Sequence, residues 1–328
     1  MKILVTGGTG FTGSHLTRRL IQGGHSVVVL DSQPGFFCEE LRTLGAEVVI
    51  GSVADRDLVL RAAKGCEVVH HLAAMFRKVN LPKKVYWDVN VEGTRNVLEG
   101  ALRAGARKVV YCSTCGVHGH VAHEPAAENA PIAPEDYYQR TKYEAERLIP
   151  EFLKLGLRAV TVRPTAIYGP GDPERFFMLF KMVNQGRFLM FGDGEVHYHP
   201  VYIDNLVDGF ELAAASARGD GEVYLIADGA YCTLNELVLA IAATLGVDLK
   251  VRHLPFWPLW TAALACEIAY LPFRVDPPLF RRRVDWFRQN RAFSIDRAVN
   301  ELGYRPRVAL KEGLARTAAW YREQHYLP

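Results

Sequence analysis

The stretch that decides the fold is KILVTGGTGFTGSHL, residues 2–16. A short run rich in β-branched residues leads into Gly7, Gly10 and Gly13, which are three residues apart, and a helical pattern follows. Glycines at these positions permit a tight turn, close approach of the backbone to a phosphate group, and close packing of helix on strand. Because a helix N-terminus also attracts anions, the stretch predicts a strand, a turn and a helix that cradle a pyrophosphate.

The alternation of strand and helix continues through the first half of the chain. Its strands are continuously apolar, which is typical of a parallel sheet covered by helices on both faces. We therefore predict an α/β protein with a Rossmann-type, doubly wound parallel sheet. The predicted strands are KILVT (2–6), SVVVL (26–30), EVVI (47–50), EVVHHLA (67–73), KVVYCS (108–113) and LRAVTVR (157–163).

A second, smaller lobe is predicted from the irregular second half, which opens with the Pro/Gly-rich stretch RPTAIYGPGDPE. We place the dinucleotide-binding domain at residues 1–165 and a mainly substrate-binding α/β lobe at residues 166–328. PVYIDNLVDGFELAAA and GEVYLIA resemble further pieces of the sheet, so segments at about 199–227 are expected to return to the first domain. The two lobes are thus predicted to interweave.

Composition and charge restrict the classes of partner. The 328 residues are 49% hydrophobic, and 39 basic residues against 36 acidic ones give a net charge of +3, too balanced for a protein whose main partner is a nucleic acid. The N-terminus shows no signal-peptide pattern, so a cytoplasmic location is expected. Six scattered cysteines indicate reduced thiols, and the single pair Cys112 and Cys115 lacks the second pair of a zinc site.

The longest apolar stretch is LPFWPLWTAALACEIAYLPF, residues 254–273. Its prolines leave an uninterrupted run of about 13 residues, short of the roughly 20 that a transmembrane helix needs. We predict a buried helix of the second lobe, in preference to an apolar substrate wall or a surface that touches a membrane.

The second predicted strand ends in Asp31, 18 residues after Gly13. A carboxylate at this position accepts hydrogen bonds from both hydroxyls of an adenosine ribose and repels a 2′-phosphate. NAD is therefore favoured over NADP as the cofactor.

The helical segment DYYQRTKYEAER, residues 136–147, holds a candidate acid/base pair. Residues four apart share a helix face, so Tyr138 pairs with Lys142, and we expect the ammonium to lie under this phenol. A neighbouring cation lowers the pKa of a phenol towards neutrality. Ser113 and Thr114 follow a strand whose carboxyl end opens into the ligand crevice, where they can hydrogen-bond a substrate oxygen.

Taken together, these motifs resemble the extended short-chain dehydrogenase/reductase family, also called the NAD-dependent epimerase/dehydratase family. The resemblance covers essentially the whole chain and includes features of its 3β-hydroxysteroid dehydrogenase-like branch. The matching motifs are TGGTGFTG (6–13), VVHHLAA (68–74), NVEGTRNVLEGA (90–101), YCSTCGVHG (111–119), YYQRTK (137–142), RPTAIYGPGD (163–172), VYIDNL (201–206) and ELGYRP (301–306).

The resemblance implies roles for individual residues. Tyr138 matches the catalytic acid/base, Lys142 the residue that lowers its pKa and binds the nicotinamide ribose, and Thr114 the catalytic Ser/Thr. Hydride transfer to or from nicotinamide would be coupled to proton transfer through Tyr138. The predicted cofactor contacts are Gly7, Gly10, Phe11, Thr12, Gly13, Asp31, Ser52, Val53, Leu72, Ala73, Ala74, Asn90, Ser113, Tyr138, Lys142, Pro164 and Ile167.

The substrate class is where the chain departs from the nucleotide-sugar enzymes of this family. Tyr198 and His199 stand where those enzymes place an Arg-Asp pair, and an apolar segment precedes FSIDRAVNELGYRP. We therefore expect oxidation or reduction at a secondary alcohol or ketone of an apolar, hydroxysteroid-like or β-hydroxy/β-keto substrate. A nucleotide-sugar epimerase or dehydratase is the alternative, supported by a local basic cluster. That cluster comprises Arg274, Arg281, Arg282, Arg283, Arg288 and Arg291.

Further expectations concern substrate contacts and assembly. His118 replaces the tyrosine of the family's V-Y-G motif, and we expect it to contact substrate together with Ser113, Tyr198 and His199. No metal site is predicted from His118, His120 and His123, because their loop has no obvious carboxylate. By resemblance, a homodimer should form through the helix of residues 136–147 and that near 85–103. A catalytically silent dinucleotide-binding regulator is the remaining alternative, opposed by the intact Tyr138 and Lys142.

Overall fold

The computed structural model describes residues 1–76, 81–172, 175–273, 275 and 277–327. Apolar β-branched runs form the strands, and amphipathic or apolar segments between them form helices. The strands are β1 (Lys2–Thr6), β2 (Ser26–Asp31), β3 (Glu47–Ile50), β4 (Val68–His71), β5 (Lys108–Cys112), β6 (Ala159–Pro164), β7 (Ala166–Tyr168), β8 (Leu189–Phe191), β9 (His197–Tyr198), β10 (Pro200–Tyr202), β11 (Val223–Ile226), β12 (Cys232–Thr233) and β13 (Arg252–Leu254).

The helices alternate with the strands through the first half and dominate the second. The α-helices are α1 (Phe11–Gln22), α2 (Cys38–Thr43), α3 (Arg56–Ala63), α4 (Lys83–Trp87), α5 (Gly93–Ala104), α6 (Tyr137–Glu146), α7 (Ile149–Lys154), α8 (Arg175–Asn184), α9 (Ile203–Ala215), α10 (Leu234–Leu245), α11 (Phe256–Tyr270), α12 (Arg281–Val284) and α13 (Leu310–Glu323). Short 3₁₀ or π-helical turns lie at Asp88–Glu92, Cys115–His118, Leu271–Phe273, Asp285–Phe287 and Ala298–Leu302.

The central sheet has seven strands in the order β3-β2-β1-β4-β5-β6-β11. Every pairing in it is parallel. In the middle of the sheet, Ile3 of β1 lies beside Val27 of β2 on one side and Val68 of β4 on the other. Strands β1 to β3 are added towards one edge of the sheet, and β4 to β6 are added towards the other, so the strand order reverses between β1 and β4. Ligands bind at such a switch point, outside the carboxyl ends of the strands. The predicted α/β class and doubly wound sheet are confirmed.

Helices cover both faces of this sheet. Leu16 of α1 and Phe210 of α9 pack on one face in a cluster with Val5, whereas Val59 of α3 and Val97 of α5 pack on the other. All five side chains are fully buried. The apolar character of both strand faces is therefore explained by two separate cores.

The second half of the chain forms a third core and also returns to the sheet. Helices α8, α10 and α13 bury Phe180, Ile241 and Tyr321 against one another. The segments predicted to return do so, because β11 pairs with β6 and α9 packs beside α1. Residues near 298–304 join the same sheet-face core, which the sequence interpretation did not anticipate. The division at residue 165 stays a prediction.

The prediction of a buried helix at residues 254–273 is wrong. A helix forms, but Ala263 is its only buried residue in α11, and Trp257 and Ile268 are 70% and 58% exposed. Apolar composition alone does not tell which neighbours are available to cover a helix. Within the described ranges, none of the helices has the length and apolar character required to cross a membrane.

Asn205, at the start of α9, joins the returning segments to the rest of the second lobe. Its side chain is fully buried and donates to Asp228 Oδ1 (2.7 Å) and Val308 O (2.8 Å). Its Oδ1 accepts from the backbone N–H groups of Arg307 (2.9 Å) and Val308 (3.0 Å). One amide thus satisfies groups from two separate segments, at residue 228 and at residues 307–308.

We predict that Asn205→Ala lowers the free energy of unfolding by about 3 kcal/mol, because it leaves several buried polar groups without partners. Urea denaturation followed by circular dichroism measures this change. The control is Asn300→Ala at an exposed position, which should stay within about 0.5 kcal/mol of the parent. Equal stabilities of the two variants would contradict the role given to Asn205.

Candidate active site

A cavity of about 1180 Å³ opens at the carboxyl edge of the sheet and extends into the second lobe. Most of the residues predicted from sequence line it, although they come from segments spread over nearly 200 residues. Those lining residues are Gly7, Gly10, Phe11, Thr12, Gly13, Asp31, Ser52, Val53, Leu72, Ala73, Ala74, Ser113, Thr114, Tyr138, Pro164, Ile167, Tyr198 and His199.

The backbone around the turn between β1 and α1 has no space for a side chain at Gly7 or Gly13. Gly7 has a φ of +71°, and a Cβ there would lie 2.8 Å from the Ala73 backbone nitrogen. A Cβ on Gly13 would lie 2.0 Å from the Gly7 carbonyl oxygen. The bare backbone and the N-terminus of the 12-residue helix α1 therefore face the cavity, an arrangement that fits a dinucleotide pyrophosphate.

Asp31 ends β2 at the rim of the same turn. Its Oδ2 accepts hydrogen bonds from the Thr9 backbone N–H (3.0 Å) and the Thr9 hydroxyl (2.7 Å). The Gly35 N–H in turn donates to that hydroxyl oxygen at 3.1 Å. These bonds fix the carboxylate at the cavity wall, where it can accept bonds from ribose hydroxyls.

A buried polar chain supports the loop after β4, which forms another cavity wall. The Ala73 N–H donates to Thr6 Oγ1 (3.2 Å), and this hydroxyl contacts His71 Nδ1 at 2.6 Å. His71 Nε2 lies 2.9 Å from Thr94 Oγ1, which donates to the Asn90 carbonyl. Burial, reinforced by the Lys142 charge, lowers the pKa of His71 to about 3, so the ring is neutral and matches this chain of bonds.

Asn90 lies behind the wall and does not line the cavity. Its side chain is fully buried, accepts from the Met75 N–H (2.7 Å), and donates to Met75 O (3.1 Å) and Thr141 Oγ1 (2.9 Å). Asn90 therefore ties the loop after β4 to helix α6. These contacts place Asn90 in the framework that supports the loop after β4.

Helix α6 presents Tyr138 to the cavity and buries Lys142 behind it. Asp136 caps the helix, with its Oδ1 accepting from the Gln139 N–H at 2.8 Å. Lys142 Nζ lies 4.3 Å from the centroid of the Tyr111 ring, and the expected stack of this ammonium on Tyr138 stays a prediction. Burial lowers the pKa of Lys142 to about 8. The Tyr138 ring itself packs against Phe76, with 4.8 Å between centroids.

Two hydroxyl groups at the end of β5 complete this part of the wall. Thr114 Oγ1 accepts from the Gly116 N–H at 3.1 Å and so caps the short helical turn that follows. Ser113 is 3% exposed, and within the described part of the chain its Oγ has no hydrogen-bond partner. A buried hydroxyl without a partner is unusual, and Ser113 is therefore available to a ligand oxygen.

Comparisons with known proteins agree with this geometry. The family model for the NAD dependent epimerase/dehydratase family matches residues 3–227. This chain belongs to that family. It is an NAD(P)-dependent oxidoreductase or epimerase of the extended short-chain dehydrogenase/reductase type, as the sequence motifs predicted.

This family member is similar to individual relatives and solved structures over nearly its whole length. It is 32% identical to a 2-alkyl-3-oxoalkanoate reductase of Stenotrophomonas maltophilia over 97% of this chain and 99% of the relative. It is 30% identical to a 3beta-hydroxysteroid-dehydrogenase/decarboxylase of Arabidopsis thaliana, over 96% and 78%. A dTDP-glucose 4,6-dehydratase from Streptomyces venezuelae, solved with NAD, superposes with a TM-score of 0.80 at 29% identity, over 99% and 98%.

Tyr198 and His199, at which this family member departs from the nucleotide-sugar pattern, do reach the cavity. Tyr198 packs edge-on against the Trp286 ring, with 5.7 Å between centroids. His199 Nε2 bonds to Asp228 O (2.9 Å), and its Nδ1 accepts from the Phe293 N–H (3.3 Å). With both nitrogens held by backbone and its pKa lowered by burial, His199 contributes a neutral ring to the wall.

His118 does not line the cavity, contrary to its predicted contact with substrate. It is 3% exposed, with Nδ1 bonded to Pro131 O (3.1 Å) and Nε2 2.9 Å from an Arg163 nitrogen. Arg163 also forms a bidentate, buried pair with Glu146 (2.6 and 3.0 Å). Burial and the positive charge of Arg163 lower the pKa of His118. The arginine always donates, so the His118 Nε2 accepts its hydrogen bond. The ring acts as an acceptor within a structural network.

The structure also gives positions for the other histidines and the paired cysteines. His120 Nδ1 accepts from the Asn290 N–H at 3.2 Å. Among the described residues, no three His, Cys, Asp or Glu side chains converge to hold a metal ion. Burial raises the pKa of both Cys112 and Cys115 to about 11, which leaves the thiols protonated near neutrality.

The far half of the cavity was missed by motif reasoning, because no motif marks it. Helix α8, strand β8 and the segment after α11 supply a largely apolar wall. Its principal members are Met178, Leu179, Met182, Phe188, Leu189, Phe191, Leu259, Leu279, Phe280, Val284, Trp286 and Phe287. The only arginines in the described lining are Arg283 and Arg291, while Arg274 of the predicted basic cluster lies outside the described residues.

We predict that Lys142→Met stabilises the fold while removing turnover. The folded ammonium has a pKa of about 8 against 10.5 for the ordinary group, so its burial costs on the order of 3 kcal/mol below pH 8. This cost disappears as pH rises from about 8 to 10.5, where wild-type stability should increase. The variant should therefore unfold at higher urea concentration at neutral pH, and its advantage should shrink above pH 8.

The matched control is Lys154→Met at an exposed position of α7, which should change neither quantity appreciably. Urea titrations at several pH values and steady-state turnover measure both effects. A less stable Lys142→Met protein would contradict the inferred cost of burying the cation.

Proposed function

We propose that this enzyme interconverts a secondary alcohol and a ketone on an apolar, hydroxysteroid-like or β-hydroxy/β-keto substrate, with NAD as cofactor. The observation that carries the proposal is the composition of the cavity. One half holds the glycine turn and Asp31, the other half is lined by aliphatic and aromatic side chains, and Ser113, Thr114 and Tyr138 line the wall as well. Sites with such lining favour apolar ligands held by a few polar groups.

The chain's own residues supply proton transfer and orientation. In alcohol oxidation, the Tyr138 phenolate takes the substrate hydroxyl proton; in ketone reduction, the phenol returns it. Ser113 Oγ and the Thr114 hydroxyl hydrogen-bond the same substrate oxygen. NAD supplies hydride exchange when it is bound, held by Gly7, Gly13 and Asp31.

Lys142 acts through charge and position. Its ammonium favours the phenolate form of Tyr138, and its burial lets that charge act in a region of low dielectric. The Tyr111 ring, 4.3 Å from Nζ, partly compensates the loss of water around the cation. Asn90, by joining the cofactor loop to α6, would keep Tyr138 aligned with the bound dinucleotide.

The relatives support this substrate class. One is a 2-alkyl-3-oxoalkanoate reductase that aligns over 99% of its length, and another is a 3beta-hydroxysteroid-dehydrogenase/decarboxylase. The first name describes reduction of an oxoalkanoate and the second dehydrogenation of a hydroxysteroid, and both compounds are largely hydrocarbon. We infer that the apolar half of the cavity accommodates a hydrocarbon chain or ring system here as well.

A nucleotide-sugar epimerase or dehydratase is the second candidate, and one observation favours it. Arg283 and Arg291 line the cavity, and within the described ranges the buried Arg291 Nε lacks a hydrogen-bond partner. A diphosphate would satisfy it. The aromatic wall and the absence of an Arg-Asp pair at Tyr198 and His199 argue for the first candidate.

NAD is preferred over NADP in this proposal because Asp31 lines the cavity next to the glycine turn, and a carboxylate there accepts hydrogen bonds from ribose hydroxyls and repels a 2′-phosphate. The cytoplasmic location and the homodimer expected from sequence remain predictions. Light scattering of the purified protein would test the dimer.

We expect Tyr138→Phe to lower kcat/KM by about 10³-fold, since it removes the group that exchanges the proton. The assay follows NAD reduction with hydroxysteroids and β-hydroxy acids, in parallel with epimerisation of UDP-sugars. Tyr137→Phe is the control, because Tyr137 packs against Tyr86 (6.1 Å between centroids) and should keep near-normal turnover.

Turnover of UDP-sugars alone would replace the first candidate with the second. Dinucleotide binding without turnover of any of these compounds would indicate the regulatory alternative.

We expect the wild-type enzyme to bind NAD more tightly than NADP, and Asp31→Asn to reduce this preference by about tenfold or more. Asparagine keeps an acceptor for the Thr9 bonds and removes the charge that repels a 2′-phosphate. Calorimetric titration with each dinucleotide measures the ratio. Asp57→Asn, on the exposed first turn of α3, is the control. Tighter binding of NADP by the wild type would refute the assignment.

A further inference from the structure

An exposed apolar surface covers one side of α11 and the turn after it. We define the apolar face as the exposed residues of the segment 254–273. All of them are uncharged, and Thr261 is the only one with a polar side chain. Trp257, Leu271 and Phe273 project furthest, with 70%, 65% and 71% of their surface exposed.

This concentration of exposed apolar side chains is specific to one region. Seven large hydrophobic residues in the described ranges are more than half exposed, and five of them lie between residues 257 and 275. Isolated exposed hydrophobic residues are normal, but a contiguous patch marks an interaction site. The opposite side of α11 is occupied, because Ala263 is buried and Leu259 lines the cavity.

Arginines lie along the margin of the apolar face. The guanidinium of Arg281 lies 5.8 Å from the centroid of the Trp260 ring, and that of Arg288 lies 5.6 Å from the centroid of the Phe256 ring. Both arginines therefore pack against aromatic side chains of α11. Arg252 and Arg283 are also exposed. Residues 252–291 contain seven arginines and three acidic residues, a formal charge of +4 in a chain whose total is +3.

We propose that the apolar face docks this enzyme onto the surface of an anionic lipid bilayer. Tryptophan and phenylalanine side chains insert at the boundary between headgroups and acyl chains, while marginal arginines bind lipid phosphates. With 15 residues, α11 is too short to span the hydrocarbon core, for which about 20 are needed, so it lies in the plane of the surface.

The charge pattern favours lipid over a second copy of the chain. Two copies that meet through this face would bring their basic margins together, which costs energy at low ionic strength. An anionic surface instead matches both the apolar centre and the basic margin. Docking would also place the cavity near the membrane, because Leu259, Phe280 and Arg283 belong to its lining.

The test is co-sedimentation of the full-length protein with vesicles of phosphatidylcholine containing about 30 mol % phosphatidylglycerol, and with pure phosphatidylcholine vesicles. We expect binding to the anionic vesicles, at least about fivefold weaker binding to the neutral ones, and weakening by added salt. The double variant Trp257→Asp/Phe273→Asp should lose about tenfold or more in partitioning. Both side chains are exposed, so circular dichroism should show an intact fold.

The matched control is Leu155→Asp, which introduces the same charge at a residue that is 64% exposed but distant in sequence from the apolar face. It should bind vesicles as the parent does. Failure of the wild type to bind anionic vesicles would overturn the proposal, as would equal loss of binding in both variants. Self-association abolished by the double variant, without vesicle binding, would show that a second copy covers this face.

The readout is lipid binding, which does not require turnover. Loss of the proposed substrate activity would therefore leave this result standing, and the reverse also holds.

Discussion

The rest of the site depends on the close contact between backbone segments at the glycine turn. A Cβ on Gly13 would lie 2.0 Å from the Gly7 carbonyl oxygen, and one on Gly7 would contact the loop after β4 at Ala73. Only bare backbone allows α1 to begin directly at the edge of the sheet. Its N-terminus then faces the crevice where strand order reverses, the place at which such sheets bind phosphate groups.

From this turn, hydrogen bonds extend through the interior to the helix that carries Tyr138. Thr6, His71 and Thr94 form a buried chain that ends on the Asn90 carbonyl, and the Asn90 side chain reaches Met75 and Thr141. Each group in the chain has its partner, which makes a buried polar network rigid. The loop after β4 and the helix that carries the candidate acid/base are consequently parts of one framework.

Charges are buried in the same framework in two different ways. Arg163 and Glu146 form a bidentate pair, with His118 as an additional acceptor, so their charges compensate each other. Lys142 has an aromatic ring next to its ammonium, and burial lowers its pKa to about 8. This buried cation lies on the same helix as the candidate catalytic tyrosine, consistent with the tendency of perturbed ionisable groups to cluster at functional sites.

Local pattern and spacing were sufficient for the sheet and for the turn between β1 and α1, because both depend on neighbours in the chain, while the roles of Asp31 and of the pair on α6 stay predictions. His118 shows the limit of prediction from local sequence, because its partner Arg163 is 45 residues away. The ring is hydrogen-bonded to this arginine and does not line the cavity. The apolar half of the cavity follows the same rule, because its wall combines α8, β8 and residues after α11 that no motif links.

The sequence by itself therefore determined the fold class from short-range periodicity and the family from the resemblance of its motifs, and it named most of the residues that line the sheet side of the cavity. Only the tertiary structure decided the position of Lys142 over Tyr111, the internal role of His118 and the exposure of α11. Burial depends on what packs against a residue from distant segments. An apolar stretch favours burial away from water, but only the tertiary structure shows whether other segments of the protein cover it.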